Sequence, residues 1–540
     1  MKTLLVAIDA KYIHRNLAVR LLQANTSFPV EILESTIKEQ EDTILEQILQ
    51  KKPDVIGFSV YLWNRNLVST LTRQIKASHP CLVVWGGPEA TYDVDSALHE
   101  SKADVVIRGE GEHVFHQLLE CISEKKEYHH LPGVATLQDG HLVDHGVVTI
   151  QDLSTIRVID LSKETDLEHR IAYIESSRGC PYRCSYCLAS LEKDVRMFPD
   201  DQVFDMIDAY RSKGAKTFKF LDRTFNLTTK RMLQMMKALI LRSDEHTTYQ
   251  FEVTGDILTK EAIQDINAIA PKGLFRFEIG IQSIHEETNL AVKRRQNNAR
   301  LFENIHDLIA GGIVTLHLDL IAGLPYETRT MFQETFDTVF QFHAEELQLG
   351  FLKLLHGTLM RSSAISMGYA FSKEPPYEFT SNPWLCEEDL EIIREVEEML
   401  DLLWNKSLMK EILLDLTKDA SPFQTLYQLK QHFNQQHFSF HRFQLVELFA
   451  MMDDYVMNTL HRPDLSRKLK EIYLMRHTQK PKIWWEKHRK DDYAFFRELH
   501  SKYPNIPIDD FYKYGVACRN EDFSFAVLFF PTGPFFIELP

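Results

Sequence analysis

Ser176-Ser177-Arg178-Gly179-Cys180-Pro181-Tyr182-Arg183-Cys184-Ser185-Tyr186-Cys187 sets three cysteines at C-x3-C-x2-C, directly after the strand-like run IAYIE at 171–175. Thiolate sulfur is the usual protein ligand of iron–sulfur clusters, and a compact loop of this kind can hold one cluster through three bonds. On a four-iron cluster that leaves one iron without a protein ligand. An open coordination site is what a metal needs to do chemistry on a bound molecule. Zinc would want a fourth Cys or His close by, and none is adjacent. A disulfide would leave one thiol over. A chance group of buried cysteines would not favour the flanking Gly179, Pro181 and two tyrosines.

This loop resembles the signature of the radical S-adenosylmethionine (SAM) superfamily, and the resemblance covers about residues 165–360. It implies that Cys180, Cys184 and Cys187 hold a [4Fe-4S] cluster whose open iron is chelated by the amino and carboxylate groups of SAM. It also implies an external electron donor, such as a flavodoxin or ferredoxin. Tyr186 occupies the aromatic position that lies near the adenine in relatives.

The 540 residues exceed what one core organises, so two to four domains are expected. A hydrophobic content of 44% with 26% charged residues is that of an ordinary globular protein. No run approaches the ~18 apolar residues of a membrane span. Seven cysteines, three of them in one loop, do not make a disulfide framework, so a reducing cytoplasm is the expected location. A net charge of −16 argues against general nucleic-acid binding. The triplet Lys293-Arg294-Arg295 reads as a solvated loop.

The first domain is expected at 1–130. TLLVAI (3–8) is a continuous apolar run of the buried parallel type, and VEILE (30–34), DVIGFSV (54–60), CLVVWGG (81–87) and ADVVIRG (103–109) follow. Amphipathic segments at about 15–25, 40–51, 66–77 and 111–124 separate them. This alternation predicts a doubly wound, Rossmann-like sheet whose ligand sits beyond the carboxyl ends of the strands. The loops there carry Ser59, Gly86-Gly87 in GGPEAT, and Gly109-Glu110-Gly111 in RGEGE. Those glycines either admit a ligand to the backbone or only turn the chain. Upstream of a radical SAM loop, these pieces resemble the cobalamin-binding domain of cobalamin-dependent radical SAM enzymes, which makes the six residues candidate corrin contacts. One departure stands out: where methionine-synthase-type domains carry D-x-H-x-x-G, this chain has Tyr12-Ile13-His14-Arg15-Asn16-Leu17. His14 is therefore not assigned to cobalt; it contacts a corrin amide or caps the following helix. The competing reading of the domain is a purely structural nucleotide-type fold.

Residues 131–169 read as a linker containing a hairpin signal, Asp139-Gly140 between two strand-like runs. Residues 170–360 hold six strand-like runs, at 171–176, 217–222, 249–256, 274–283, 315–325 and 346–355, separated by helix-length segments. They match the (βα)6 partial TIM barrel of the radical SAM fold, with its chemistry at the C-terminal mouth. Relatives end the second strand in Gly-Gly-Glu; this chain has Leu221-Asp222-Arg223, which leaves Asp222 as a candidate acceptor for the SAM ammonium and Arg223 for its carboxylate. Glu252 and Asp256 stand at the third strand. Glu278, Gln282 and Ser283 stand on the fourth, where relatives contact the ribose and methionine moieties. An inward Glu278 is costly unless a donor pairs it. Gly323-Leu324-Pro325 resembles the loop beside the adenine, or is a plain strand-to-helix turn. His356 is read as structural.

Residues 361–540 read as a mostly helical region, with helices at 387–405, 407–417, 422–436, 441–459 and 463–476 and a terminal hairpin. Trp404, Trp484 and Trp485 are expected in its core, and His432, His437 and His441 as solvated. The order of regions resembles cobalamin-binding radical SAM proteins with a C-terminal domain of unknown function, in an α/β chain. What that implies is reductive cleavage of SAM to a 5′-deoxyadenosyl radical and, most commonly, methyl transfer to an unactivated carbon. Rearrangement or cyclisation without methylation, and a non-catalytic sensor, are the alternatives. The substrate is unknown.

Overall fold

The computed structural model describes residues 1–159, 161, 164–192, 194–478, 484, 489–519 and 522–538. Trp485 and the last two residues of the expected terminal hairpin lie outside them. The chain divides into two compact units, Met1–Glu391 and Ile392–Pro540.

The first unit opens with β1 (Thr3–Asp9), α1 (Leu17–Ala24), β2 (Val30–Thr36), α2 (Glu41–Gln50), β3 (Val55–Ser59), α3 (Arg65–Ser78), β4 (Leu82–Gly86), two short helices α4 (Pro88–Tyr92) and α5 (Val94–His99), β5 (Val105–Ile107) and α6 (Glu112–Ser123). The five strands run parallel in the order β2-β1-β3-β4-β5. All seven residues of β1 are buried because helices cover both faces of the sheet. The period of two sorts them: Leu4, Val6 and Ile8 pack into one core with Ile44, Val68 and Trp85, while Leu5 and Ala7 join Val19, Phe115 and Leu118 on the other side. The strand order reverses between β1 and β3, which makes a crevice beyond their carboxyl ends the natural ligand position.

The expected hairpin is present as β6 (Val134–Gln138) and β7 (His141–Asp144), with Asp139 and Gly140 both at positive φ in the turn. It adds to the first sheet: β6 pairs antiparallel with β5. The start of the 131–169 stretch therefore belongs to the first sheet, since the exposed edge of β5 takes its hydrogen bonds from it.

The second sheet is β8 (Ile171–Ile174), β11 (Thr217–Phe220), β12 (Thr248–Glu252), β13 (Phe275–Gln282), β14 (Thr315–Ala322) and β15 (Glu346–Phe351), all parallel, in the order β15-β14-β13-β12-β11-β8. Between β8 and β11 lie a two-residue ladder, β9 (Ser177–Arg178) against β10 (Arg196–Met197), and α7 (Asp200–Ser212). Helices α8 (Thr229–Ile240), α9 (Lys260–Ile269), α10 (Glu286–Ala291), α11 (Asn298–Gly311) and α12 (Arg329–Phe340) complete the six repeats of a partial barrel. On β13 the buried Phe275, Phe277, Ile279 and Ile281 alternate with the half-buried Arg276, Glu278, Gly280 and Gln282. The apolar set packs toward the helices, so the polar set lines the lumen. The unit ends with α13 (Leu359–Ser363), a small ladder β16 (Ala370–Phe371) and β17 (Phe379–Ser381), and the start of α14 (Glu387–Leu400).

The second unit is helical with a small sheet at its end. It holds a π-helical turn at Asp401–Asn405, α15 (Lys410–Thr417), α16 (Pro422–Gln435), α17 (Leu445–Asp454) running into a second π turn at Tyr455–Thr459, α18 (Pro463–Arg476), α19 (Arg489–Lys502) and α20 (Ile508–Tyr514). The expected terminal hairpin carries a third strand: β18 (Gly515–Arg519), β19 (Ser524–Phe530) and β20 (Gly533–Glu538) pair antiparallel in that order. Trp404 is buried, and Trp484 donates its indole N–H to Asp453 Oδ2 at 2.8 Å. His432 corrects the sequence reading. It is buried, with Nε2 2.9 Å from Asp454 Oδ2 and its ring edge-on to Tyr455, because α16 turns this face inward.

Candidate functional site

The cysteine loop leaves β9 at Gly179, whose φ of +89 and a carbonyl 2.2 Å from where a Cβ would stand admit no side chain. Cys180 and Cys184 are buried, Cys187 is half-buried, and all three are free thiols. Burial pushes the thiols of Cys180 and Cys187 up, and each feels the charge of its neighbours in the loop. Among the described residues no three His, Cys, Asp or Glu side chains converge as one metal ion would require. Bonds of about 2.3 Å to zinc would demand that.

Two guanidiniums stand beside the sulfurs. Arg223 lies against Cys180 and Cys187, and Glu252 holds it at 3.3 Å. About half of its side-chain surface is open to solvent. Arg294 stands near Cys184 and Tyr186 and donates to Gln296 Oε1 at 3.0 Å and to the Gly280 carbonyl at 2.5 Å. Burial works against its charge; Tyr186 and Cys184 more than restore it. The reading of Lys293-Arg294-Arg295 as a solvated loop was therefore wrong for its middle residue. The signal available was position: Arg294 follows the fourth strand by a dozen residues, and its segment returns to the cysteine loop through the Ser185 N–H to Val292 carbonyl bond of 2.9 Å. Burial pushes the Tyr186 hydroxyl well up, so it stays protonated beside the thiols.

The lumen carries the remaining charges in register. Glu252, Glu278, His317 and Glu346 lie at one level of the sheet. Glu278 has the donors expected of it: Lys219 Nζ at 3.0 Å and Gln250 Nε2 at 2.9 Å. Burial raises its pKa, and Lys219 outweighs that and leaves it below the ordinary value. His317 Nε2 lies 3.0 Å from Asp319 Oδ1.

Three sequence-predicted residues support the loops beneath. Asp222 is buried and accepts from the Ser176 N–H at 2.9 Å and from the Ser176 and Ser177 hydroxyls at 2.6 Å each. It anchors the entry of the cysteine loop. Ser283 is buried and donates to Glu327 Oε1 at 2.5 Å. Gly323, at φ +97, has the Phe379 ring 2.2 Å from its Cβ position, and its carbonyl accepts from Tyr369 at 2.8 Å. Gln282 stands differently. At φ +67 beside a register shift in β13, its Oε1 is buried without a partner, as is Ser185 Oγ in the cysteine loop. Orphaned buried oxygens are costly and point to a missing partner.

At the first sheet's carboxyl edge, the Cβ position of Gly86 meets one neighbour, the Ile107 carbonyl at 4.0 Å, an ordinary van der Waals contact that leaves this side of the backbone uncrowded. Gly87 and Gly109 are closed off by the backbone of Val60 and Val148, and Gly111 by Leu22. Ser59 accepts from Asn16 Nδ2 at 2.9 Å. Asn16, not His14, caps α1; His14 Nδ1 lies 2.6 Å from the Tyr173 hydroxyl. Tyr61 and Trp63 stack at 4.6 Å in the loop after β3. Glu110 clamps the barrel: its carboxylate takes Arg196 at 2.7 and 2.8 Å, and Arg178, at 3.7 Å, also pairs with Glu112 at 2.6 Å and Glu175 at 2.8 Å. Arg178 and Arg196 face each other across the β9–β10 ladder, so the first domain's RGEGE loop holds the cysteine loop's own entrance.

Family profiles match along the chain: the B12 binding domain over 4–119, the radical SAM superfamily over 174–339 and a protein of unknown function, DUF4080, over 366–509. The chain carries a B12 binding domain followed by a radical SAM domain. A cobalamin-dependent radical SAM methyltransferase of Streptomyces tokunonensis, TokK, is 23% identical over 385 residues, covering 68% of this chain and 56% of that protein. The chain thus spans about half the length of the curated relatives it matches. In fold it is similar to the methyltransferase TsrM of Kitasatospora setae, solved with cobalamin and a [4Fe-4S] cluster (TM-score 0.61, 15% identity, 87% of this chain and 99% of that one). It is also similar to the cobalamin-dependent radical enzyme OxsB, solved with aqua-cobalamin and SAM (TM-score 0.64, 14% identity, 89% and 82%).

A B12-binding radical SAM protein uses a [4Fe-4S] cluster, SAM and cobalamin, and the residues present fit all three. Three free thiols with two guanidiniums beside them suit an anionic iron–sulfur core. The orphaned Gln282 and Ser185 oxygens and the Arg223–Glu252 pair suit a zwitterion. The uncrowded backbone at Gly86 suits a flat macrocycle. No helix among the described residues is long and apolar enough to cross a membrane.

Proposed function

We propose that this chain is a cobalamin-dependent radical SAM enzyme that methylates an unactivated carbon of an as yet unidentified substrate, in a reducing compartment such as the cytoplasm. The observation that carries the reading is the Glu110–Arg178–Glu112 clamp, which ties the loop at the cobalamin edge to the mouth of the cysteine loop. When bound, the cluster and SAM supply a 5′-deoxyadenosyl radical and the corrin supplies a methyl group.

The chain's own residues position and shield. Cys180, Cys184 and Cys187 would hold the cluster, with Arg223 and Arg294 offsetting its negative charge. Gln282, placed by the bulge in β13, would bond SAM, and Glu252 and Arg223 would face its charged ends. Tyr186 would flank the adenine. Gly86 lets the corrin approach the first sheet, with the Tyr61–Trp63 stack beside it. Glu278, fixed by Lys219 and Gln250, stays ionised and presents a fixed charge to the lumen.

The test is oxygen-free reconstitution with iron, sulfide and cobalamin, then metal and corrin analysis and assay for 5′-deoxyadenosine. Bound cluster and corrin, 5′-deoxyadenosine release, and a product heavier by one methyl group are the expected results. A product of unchanged mass would move the assignment to rearrangement or cyclisation. Cofactor binding with no 5′-deoxyadenosine under any reductant would make the chain a sensor.

A further inference from the structure

The lumen of the second sheet carries more charge than the cysteine loop takes up. Arg223 with Glu252, and Arg178 with Glu175, stand beside that loop. From β11 to β15 the described residues turn three more carboxylates and three more cations inward, and these cancel one for one. Lys219 Nζ lies 3.0 Å from Glu278 Oε2, His317 Nε2 lies 3.0 Å from Asp319 Oδ1, and Arg276 donates to Glu346. Burial works against a charge on His317, and the neighbouring Asp319 and Glu346 outweigh it. Water still reaches this layer. Five of the six side chains keep between 20% and 33% of their surface accessible, whereas Phe218, Phe277 and Leu318, on the helix-facing side of the same strands, are sealed. Gln348 pairs in register with Asp319, is exposed, and its side-chain amide makes no hydrogen bond among the described residues. Asp319 also pairs with Gly280, which lies two residues, about 7 Å, along β13 from Gln282 and its orphaned oxygen.

We propose that the substrate is a polar molecule without net charge, seated in the lumen against Gln348 and the Asp319–His317 pair. The proposal rests on the function proposed above and names its substrate class. A hydrocarbon skeleton pressed against this layer would strip water from six charged groups and give no bond in return. A ligand of net charge would find every opposite charge already paired, and a like charge next to it. A neutral or zwitterionic ligand displaces the water and replaces its hydrogen bonds without upsetting the pairs. Gln348 donates and accepts at once, so it suits a hydroxyl, an amide or an amino group with equal ease. Its level in the sheet lies one pleat below the residue given to SAM, which sets the bound molecule next to the nucleoside end where the radical forms.

The test uses the reconstituted holoprotein, a chemical reductant and four pools from an extract of the cells that make the protein. One pool is the chloroform phase. The aqueous phase is split on ion exchangers at pH 7 into anionic, cationic and unretained pools. The readout is 5′-deoxyadenosine release. The unretained aqueous pool is expected to raise it about fivefold or more, because the right substrate spends its binding energy on the chemical step. The other three should leave it within about twofold of buffer. Stimulation by the chloroform phase or by a charged pool alone, or by no pool, overturns the proposal. Gln348→Leu, at an exposed position, should keep the parent's iron content and melting temperature and need about tenfold more of the unretained pool for half-maximal release. Gln348→Asn should recover part of that loss, and an unchanged requirement in Gln348→Leu overturns the seat. If the unretained pool stimulates but its product is no heavier by a methyl group, the substrate class stands and the proposed methyl transfer fails.

Discussion

Glu327 is fully buried, and its pKa is raised from 4.5 to about 7 by burial, against the opposing bonds from Ser283 and Thr335. An unfolded chain releases this proton near the ordinary value, and the folded one holds it to about pH 7. Between those two values the folded state binds more protons, so stability falls as pH rises through the window and is lowest above pH 7. The displacement of about 2.5 pKa units corresponds to about 3 kcal/mol at 1.36 kcal/mol each. Glu327→Gln keeps an oxygen to accept from Ser283 and Thr335, and mimics the neutral acid. Thermal melts of parent and variant at pH 5 and pH 8 should therefore differ. Near pH 5 the two are close, and at pH 8 the variant melts several degrees higher. A melting difference that does not change with pH would refute the reasoning, because it would mean that Glu327 is ionised at no cost or neutral throughout. Ser283 follows the bulge residue Gln282, so the parent's SAM affinity should also weaken above pH 7 while the variant's holds.

Four further outcomes are expected. Cys184→Ala should lose the bound iron and its visible absorbance after reconstitution while the far-ultraviolet circular dichroism stays unchanged. Arg178→Met leaves the buried Glu112 and the half-buried Glu175 without their cation, a loss of about 3 kcal/mol in urea unfolding, and Glu112→Gln in the same chain should recover part of it. Gly86→Val should keep the parent's melting temperature and bind less cobalamin by absorbance titration, whereas Gly109→Ala, at φ +89 against the Val148 carbonyl, should lower the melting temperature. Tyr377→Phe removes the 2.7 Å bond to the buried Glu89 and should cost about 1–3 kcal/mol of stability without altering iron content.

What the sequence disclosed was local. Apolar runs such as TLLVAI and the alternation in LFRFEIGIQS are periodic signals, and each gave its strand within a residue or two. The cysteine spacing sits within eight residues and needs no partner elsewhere. The residues whose surroundings the sequence did not disclose all answer to something distant. Arg294 looks like surface charge until Cys184, 110 positions earlier, is beside it. Asp222 reads as a ligand-facing acid at a strand end, yet Ser176 and Ser177 turn it under the loop. His432 looks solvated in a polar stretch, and Asp454, on another helix, draws it in. The RGEGE loop was legible as a resemblance, but the task of its acids was not, because Arg178 and Arg196 belong to the other sheet.

The partial barrel does not close, so β8 and β15 stand at the two ends of the six-stranded sheet. On the β8 side the Ile171 amide gives its hydrogen to the Ile13 carbonyl at 2.8 Å, and Tyr12 stacks over Arg170. The segment after β1 thus acts as a selvedge for the second sheet. A gene truncated to begin at the barrel would yield chains with a bare β8 margin, prone to join margin to margin into insoluble material. Soluble expression of this protein's catalytic half would need the first hundred and thirty or so residues supplied with it, on the same chain or as a co-expressed fragment.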